Sequence, residues 1–184
     1  MDRAKIIRST ERWLESTVVG LNLCPFARLP LLNASVRFSV SAATTEQQLL
    51  LHLNAELSLL EDATEIETTL LVHPCVLQEF GAYNQFLTDA ENLLEDSGYE
   101  GIYQLASFHP GYQFAGTSGE DAENYSNRSP YPMLHVLRES SVERAVASYP
   151  DVHDIPRRNI ERLNQVGHTA LARMLSESCD EVCK

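Results

Sequence analysis

Ile6, Thr10, Trp13, Leu14, Thr17, Val18 and Leu21 fall at the three-and-four spacing of a helix that buries one stripe. Asp2 can cap it, and Pro25 and Pro30 require it to stop by about Leu23, where an irregular segment follows. Val36, Phe38 and Val40 alternate with Arg37, Ser39 and Ser41, the pattern of a half-buried strand. Thr45 followed by Gln48 forms a capping-box signature, and Leu49, Leu53, Leu57 and Leu60 then mark the buried face of a second helix. Leu70, Leu71 and Val72 read as a strand covered on both faces and ended by His73 and Pro74. Tyr83, Phe86, Leu87, Ala90, Leu93 and Leu94 define a third helix closed by Ser97 and Gly98. A third strand is predicted over residues 102–108 and a fourth over 133–137, the latter of undetermined direction. Ser140 with Glu143 predicts a capped short helix through Val146. Asp154 and Pro156 start a last helix along Ile160, Leu163, Gly167, Leu171 and Met174.

Strand, helix, strand, helix, strand with crossovers of this length implies parallel connections. The expected fold is one α/β domain over residues 1–184, with a partly parallel four-stranded sheet, βαβ crossovers and added N- and C-terminal helices. The fourth strand leaves α+β open. A chain of 184 residues can remove on the order of 70% of its extended surface from water, so no metal or disulfide is needed for folding.

Charge narrows the partners. At -12 the chain repels phosphate backbones and anionic headgroups, which argues against nucleic acid and membrane surfaces but leaves room for a local basic pocket. The run MDRAKIIRSTERWLES lacks a secretory apolar stretch, so a cytoplasmic protein is expected. Cys24, Cys75, Cys179 and Cys183 are too few and scattered for a disulfide framework and are expected to be thiols. Cys179 and Cys183 could meet across a helical turn. The oligomeric state is not legible.

Residues 107–139 concentrate histidines, arginines, acids, asparagines, tyrosines and prolines between two strands. A connection this long with aromatic anchors is expected to be packed and functional. His73-Pro74 and His109-Pro110 end two strands that run the same way, so both histidines should emerge at the carboxyl edge, where ligands favour parallel sheets. His135 could complete a three-histidine cluster suited to a divalent metal cofactor, with His73 and His109 as the other ligands. Alternatively His109 and His135 act as acid and base, assisted by Asp121. The plainer reading is that each imidazole bonds a backbone carbonyl.

In NRSPYP the prolines stiffen a segment that presents Asn127, Arg128 and Ser129. Arg128 and Arg138 could hold an anion, or be paired within the fold. Arg138, just after buried strand residues, is expected to have something anionic beside it. Tyr112 and Tyr125 could bind a ligand edge with their hydroxyls or pack the loop. Gly111, Gly116 and Gly119 fit ordinary turns. Cys24, at a helix carboxyl end that would raise its pKa, is expected to be structural unless His73 or His109 lies beside it.

At NLCPFAR, ETTLLVHP, SFHPGYQFAGT and NYSNRSPYPMLHVLRE the chain resembles an uncharacterised bacterial family, domain of unknown function 1415, over almost its whole length. That resemblance implies a one-domain bacterial cytoplasmic protein and carries no activity. The expectation from the residues is an enzyme acting on a small anionic metabolite in a His/Arg-lined pocket at the carboxyl edge, with metal assistance as one version. The alternatives are a non-catalytic module binding a small ligand or a protein, and a loop that merely ties the fold together.

Overall fold

The computed structural model describes residues 1–179 and shows one α/β domain in which a four-stranded mixed sheet is covered by helices on both faces. The strands β1 (Val36–Val40), β2 (Thr68–Val72), β3 (Tyr103–Phe108) and β4 (Met133–Arg138) lie in the order β1-β2-β4-β3. β1 pairs parallel with β2, whereas β4 runs antiparallel to both β2 and β3. Hence β1, β2 and β3 all point the same way, and the fourth strand has slotted between the second and the third. The second crossover therefore joins strands that share a direction without being neighbours.

The first helix, α1 (Arg3–Trp13), begins where Asp2 accepts the Lys5 N–H at 3.1 Å. It widens into a π-helical turn over Leu14–Val19. Gly20 follows, at a position where a Cβ would run into the Ser16 carbonyl. A short helix, α2 (Arg28–Leu32), occupies the segment expected to be irregular, and Pro30 is tolerated because it lies in the first turn. The helix α3 (Glu46–Asp62) opens with the predicted box: Thr45 Oγ1 accepts the Gln48 N–H, while the Gln48 carboxamide reaches back to the Thr44 N–H. The next helix is α4 (Phe80–Asp96).

Two apolar faces sandwich the sheet. Leu49, Leu53, Leu57 and Leu60 of α3 pack with Tyr83, Phe86 and Ala90 of α4 against Leu71, Leu134 and Val136. Ile6, Trp13, Leu14 and Val18 pack against Leu70, Val72 and Met133 on the other side. Each fully buried large side chain contributes roughly 1.5–3 kcal/mol. A third cluster, of Leu23, Ala122, Tyr125, Leu163 and Leu171, ties the long loop to the C-terminal helices.

The C-terminal region departs from expectation in two ways. Helix α5 (Glu139–Ser148) starts directly from β4 with no side-chain cap, so Ser140 falls inside its first turn and the Ser140/Glu143 box does not form. The last helix is broken into α6 (Ile155–Val166) and α7 (His168–Ser178), because Gly167 adopts φ 81°, a conformation that ends a helix. Cys24 is a thiol, as expected, whereas Cys75 is disulfide-bonded, against the expectation of a thiol. Cys183 lies outside the described residues, and with it the Cys179/Cys183 juxtaposition.

Candidate functional site

His73 follows β2 and His109 follows β3, so both emerge at the carboxyl edge as the strand pattern requires. Both are buried, and Tyr83 lies between them: its ring stacks on His73 at 5.8 Å and meets His109 at 5.1 Å. The Tyr83 hydroxyl donates to the Met133 carbonyl at 2.8 Å and accepts the Phe108 N–H at 3.1 Å, which pins the end of β3 to the start of β4. Burial pushes the phenol pKa up.

The two imidazoles hold one short loop, residues 73–79. His73 Nδ1 lies 3.1 Å from the Val76 carbonyl, which can only accept, so Nδ1 carries the proton. His109 Nε2 donates to the Leu77 carbonyl at 3.1 Å, and its Nδ1 accepts the Gly111 N–H at 2.9 Å. Both ring nitrogens of His109 are therefore used, and no lone pair is left for a metal or a substrate proton. Desolvation lowers the pKa of both histidines, that of His73 to about 4. His73 Nε2 is buried with no hydrogen-bond partner among the described residues. Between the two anchored carbonyls, Leu77 sits at φ 57°, a left-handed conformation that costs a non-glycine residue about 1–3 kcal/mol and persists only where neighbours impose it.

His135 does not join this pair. It lies in mid-strand opposite Leu70 and Ala106, on the sheet face that carries α1, with its ring 5.9 Å from Phe108. Thr68 Oγ1 donates to the Val136 carbonyl at 2.7 Å, so its 2.6 Å contact with His135 Nε2 must be a bond that the imidazole donates. Desolvation lowers this pKa to about 4 as well. The three-histidine metal cluster is thus not formed. Among the described residues no group of three His, Cys, Asp or Glu side chains could hold a metal ion.

Arg138 lies at the opposite edge, paired with the first residue of β3, about 16 Å along β4 from Met133. Its guanidinium donates to the carbonyls of Leu60, Ala63 and Ile66 and to the Tyr103 hydroxyl. The anionic neighbour expected of it is the carbonyl end of α3, whose dipole is negative, and not a carboxylate or a ligand.

The long loop spends its polar groups on itself. Asn124, fully buried, is its hub: Oδ1 accepts from the Phe114 N–H and the Thr117 hydroxyl, and Nδ2 donates to the Ser118 carbonyl. Arg128 lies over the Tyr125 ring at 4.6 Å and donates to the carbonyls of Tyr112 and Gly119. Asn127 Nδ2 donates to Ser107 O, and the Ser129 hydroxyl to Tyr131 O. The Tyr112 ring packs between Phe80 and Phe114. Asp121 accepts from the N–H and hydroxyl of Ser118, which hold its carboxyl below the usual range. A carboxylate so satisfied is a poor proton donor or acceptor near neutrality. No local signal in the sequence marks Asn124 as a hub.

A crevice of about 550 Å³ opens beyond β1 and β2, lined by Thr44, Thr45, Glu46, Gln47, Val76, Leu77, Gln78, Glu79 and Ala82. None of these was predicted. One wall is the first turn of α3, and the other is the loop held by His73 and His109 together with the first turn of α4. Beside it, Ser41 Oγ lies 2.6 Å from His52 Nδ1, and Glu56 binds Arg37 and Ser39, a polar ladder between β1 and α3. Cys24 is elsewhere, packed on the α1 side. Burial pushes its thiol pKa up, overriding the bonds from the amides of Phe26 and Ala27. That outcome agrees with a structural cysteine, though burial and not a helix end is the cause.

No described helix is long and apolar enough to cross a membrane. The model of a family described as "Protein of unknown function (DUF1415)" matches residues 5–173. No curated protein and no solved structure matches the chain.

Proposed function

The chain belongs to the DUF1415 family, whose description assigns no activity, and we propose that it binds a small anionic metabolite in the crevice at the carboxyl edge of its sheet. The observation that carries this reading is the strained Leu77, held at the crevice wall by a buried histidine from a distant strand. Strain maintained at a concave surface marks a preorganised wall. The position beyond parallel strand ends is where ligands of such sheets bind. Two helices of 17 residues each, α3 and α4, begin at the crevice; the Gln48 N–H of α3 is capped by Thr45, whereas α4 has no side-chain cap, so backbone N–H groups of its first turn are available to an anion.

This reading replaces the His/Arg-lined pocket with an amide-lined one. His73 and His109 become positioning residues, and Arg128, Arg138, Asn127 and Ser129 serve the scaffold. Glu46 and Glu79, the only ionisable groups in the lining, favour a second version in which the ligand is turned over by acid/base catalysis.

The test is thermal stability against a panel of small carboxylates and phosphorylated metabolites, for the protein and for Ala82→Trp, which fills the crevice from an exposed position. A ligand at one hundred times its Kd should stabilise the protein by about 2.7 kcal/mol, and the variant should lose that gain. An undiminished gain in Ala82→Trp would remove the site from this crevice. Proton NMR of the ligand after long incubation separates binding from turnover.

A further inference from the structure

A second cavity, of about 340 Å³, lies where the turn after the first helix meets α6 and shares no lining residue with the crevice. Its lining includes Arg158, Arg162, Asn159 and Tyr149, with Leu21 and Pro25 opposite, and no acidic residue. In a chain of net charge -12 this lining carries the opposite sign to the whole. Arg158 and Arg162 are one helical turn apart, so their like charges repel unless something anionic lies between them.

The acids nearest to them on the helix are already engaged. Arg157 binds both oxygens of Asp154, at 3.0 and 2.5 Å, and reaches Glu161 at 2.6 Å. Asp154 still feels the charge of Arg158, but both of its oxygens go to Arg157. Arg158 itself leans on Tyr149, 5.7 Å from the ring centroid and 3.4 Å from the hydroxyl. Tyr149 is braced in turn by an edge contact with Phe26 at 5.4 Å. The Asn159 amide donates to Leu23 O at 2.8 Å, which ties α6 to the far wall.

We infer that this cavity is a binding site for a small organic phosphate, with the dianionic group between Arg158 and Arg162 and the organic part against Tyr149, Leu21 and Pro25. Two guanidiniums match a charge of minus two on one group, whereas a monocarboxylate would leave one of them uncompensated. The volume is that of a small-metabolite pocket. The inference is independent of the crevice reading, because the two sites share no residue.

Isothermal titration of the full chain at low salt with phenyl phosphate and with benzoate tests it. Phenyl phosphate should bind more tightly than benzoate. Arg162→Gln and Arg158→Gln, both exposed and expected to fold, should each weaken it about tenfold or more, the loss of one charge-assisted contact. Ala82→Trp should leave that affinity unchanged, which separates this site from the crevice. No binding of phenyl phosphate, equal affinity for benzoate, or affinity unchanged in both arginine variants would each overturn the assignment. Circular dichroism of the variants confirms that they fold.

Discussion

The loop of residues 109–132 and the loop of residues 73–79 face the same edge of the sheet and use their polar groups in opposite ways. The long loop is rich in hydrogen-bonding side chains, and Asn124, Arg128, Asp121, Asn127 and Ser129 are engaged with backbone or side-chain partners within it or at the adjoining strand. Within the short loop the Gln78 amide reaches the Pro74 and Val76 carbonyls, but the shape is imposed by the two imidazoles. The loop is held from below by His73 and His109, keeps Leu77 in a strained conformation, and lines the larger cavity. Density of polar residues can therefore mark a segment that must satisfy itself in the absence of regular structure. Strain supported from outside is the better pointer to a surface shaped for something else.

Acid should separate the two loops most. The folded pKa of His73, about 4, lies below its ordinary value of about 6.5, so the fold favours the neutral ring. Its stabilising contribution is complete above about pH 6.5 and is lost as pH falls through about 4, on the order of 3 kcal/mol once below both values. His135 shifts in the same direction on the other face of the sheet. Amide hydrogen exchange between pH 7 and pH 4 should show residues 76–79 losing protection before residues 112–127. The reverse order would break the comparison.

Asn124→Ala should cost about 2–4 kcal/mol, since it removes a fully buried side chain that bonds the Phe114 N–H, the Thr117 hydroxyl and the Ser118 carbonyl. Urea denaturation should report that loss, while ligand affinity in the crevice stays unchanged. His109→Phe should cost about 1–3 kcal/mol by freeing the Leu77 carbonyl and the Gly111 N–H. This variant should also weaken crevice binding about tenfold, so the pair dissociates stability from affinity in opposite directions. The smallest effect is expected from Asp121→Asn, whose carboxylate is exposed and bonded to the neighbouring Ser118. Neither ligand affinity nor any turnover should respond to it.

Most of the elements were legible because their causes are local. The leucines of α3, the alternation in β1, the Asp2 cap and the Ser97-Gly98 stop each depend on residues within a few positions of one another. Placement of His73 and His109 at one edge was legible too, since strands joined by helical crossovers share a direction. The site beyond that edge was not. Leu77 gives no signal of a left-handed backbone, because that conformation is imposed by a carbonyl bond to a histidine 32 residues away.

The sequence by itself determined the helices, the strands and the common edge of two histidines, through periodicity and turn chemistry acting over one or two turns of chain. Only the tertiary structure decided that β4 inserts antiparallel between β2 and β3. That insertion sends His135 to the other face and Arg138 to the other edge, and no residue-level pattern encodes it. Strand order is set by how the complete set of apolar faces is buried at once, and so is the choice of which carbonyl each buried imidazole or guanidinium binds.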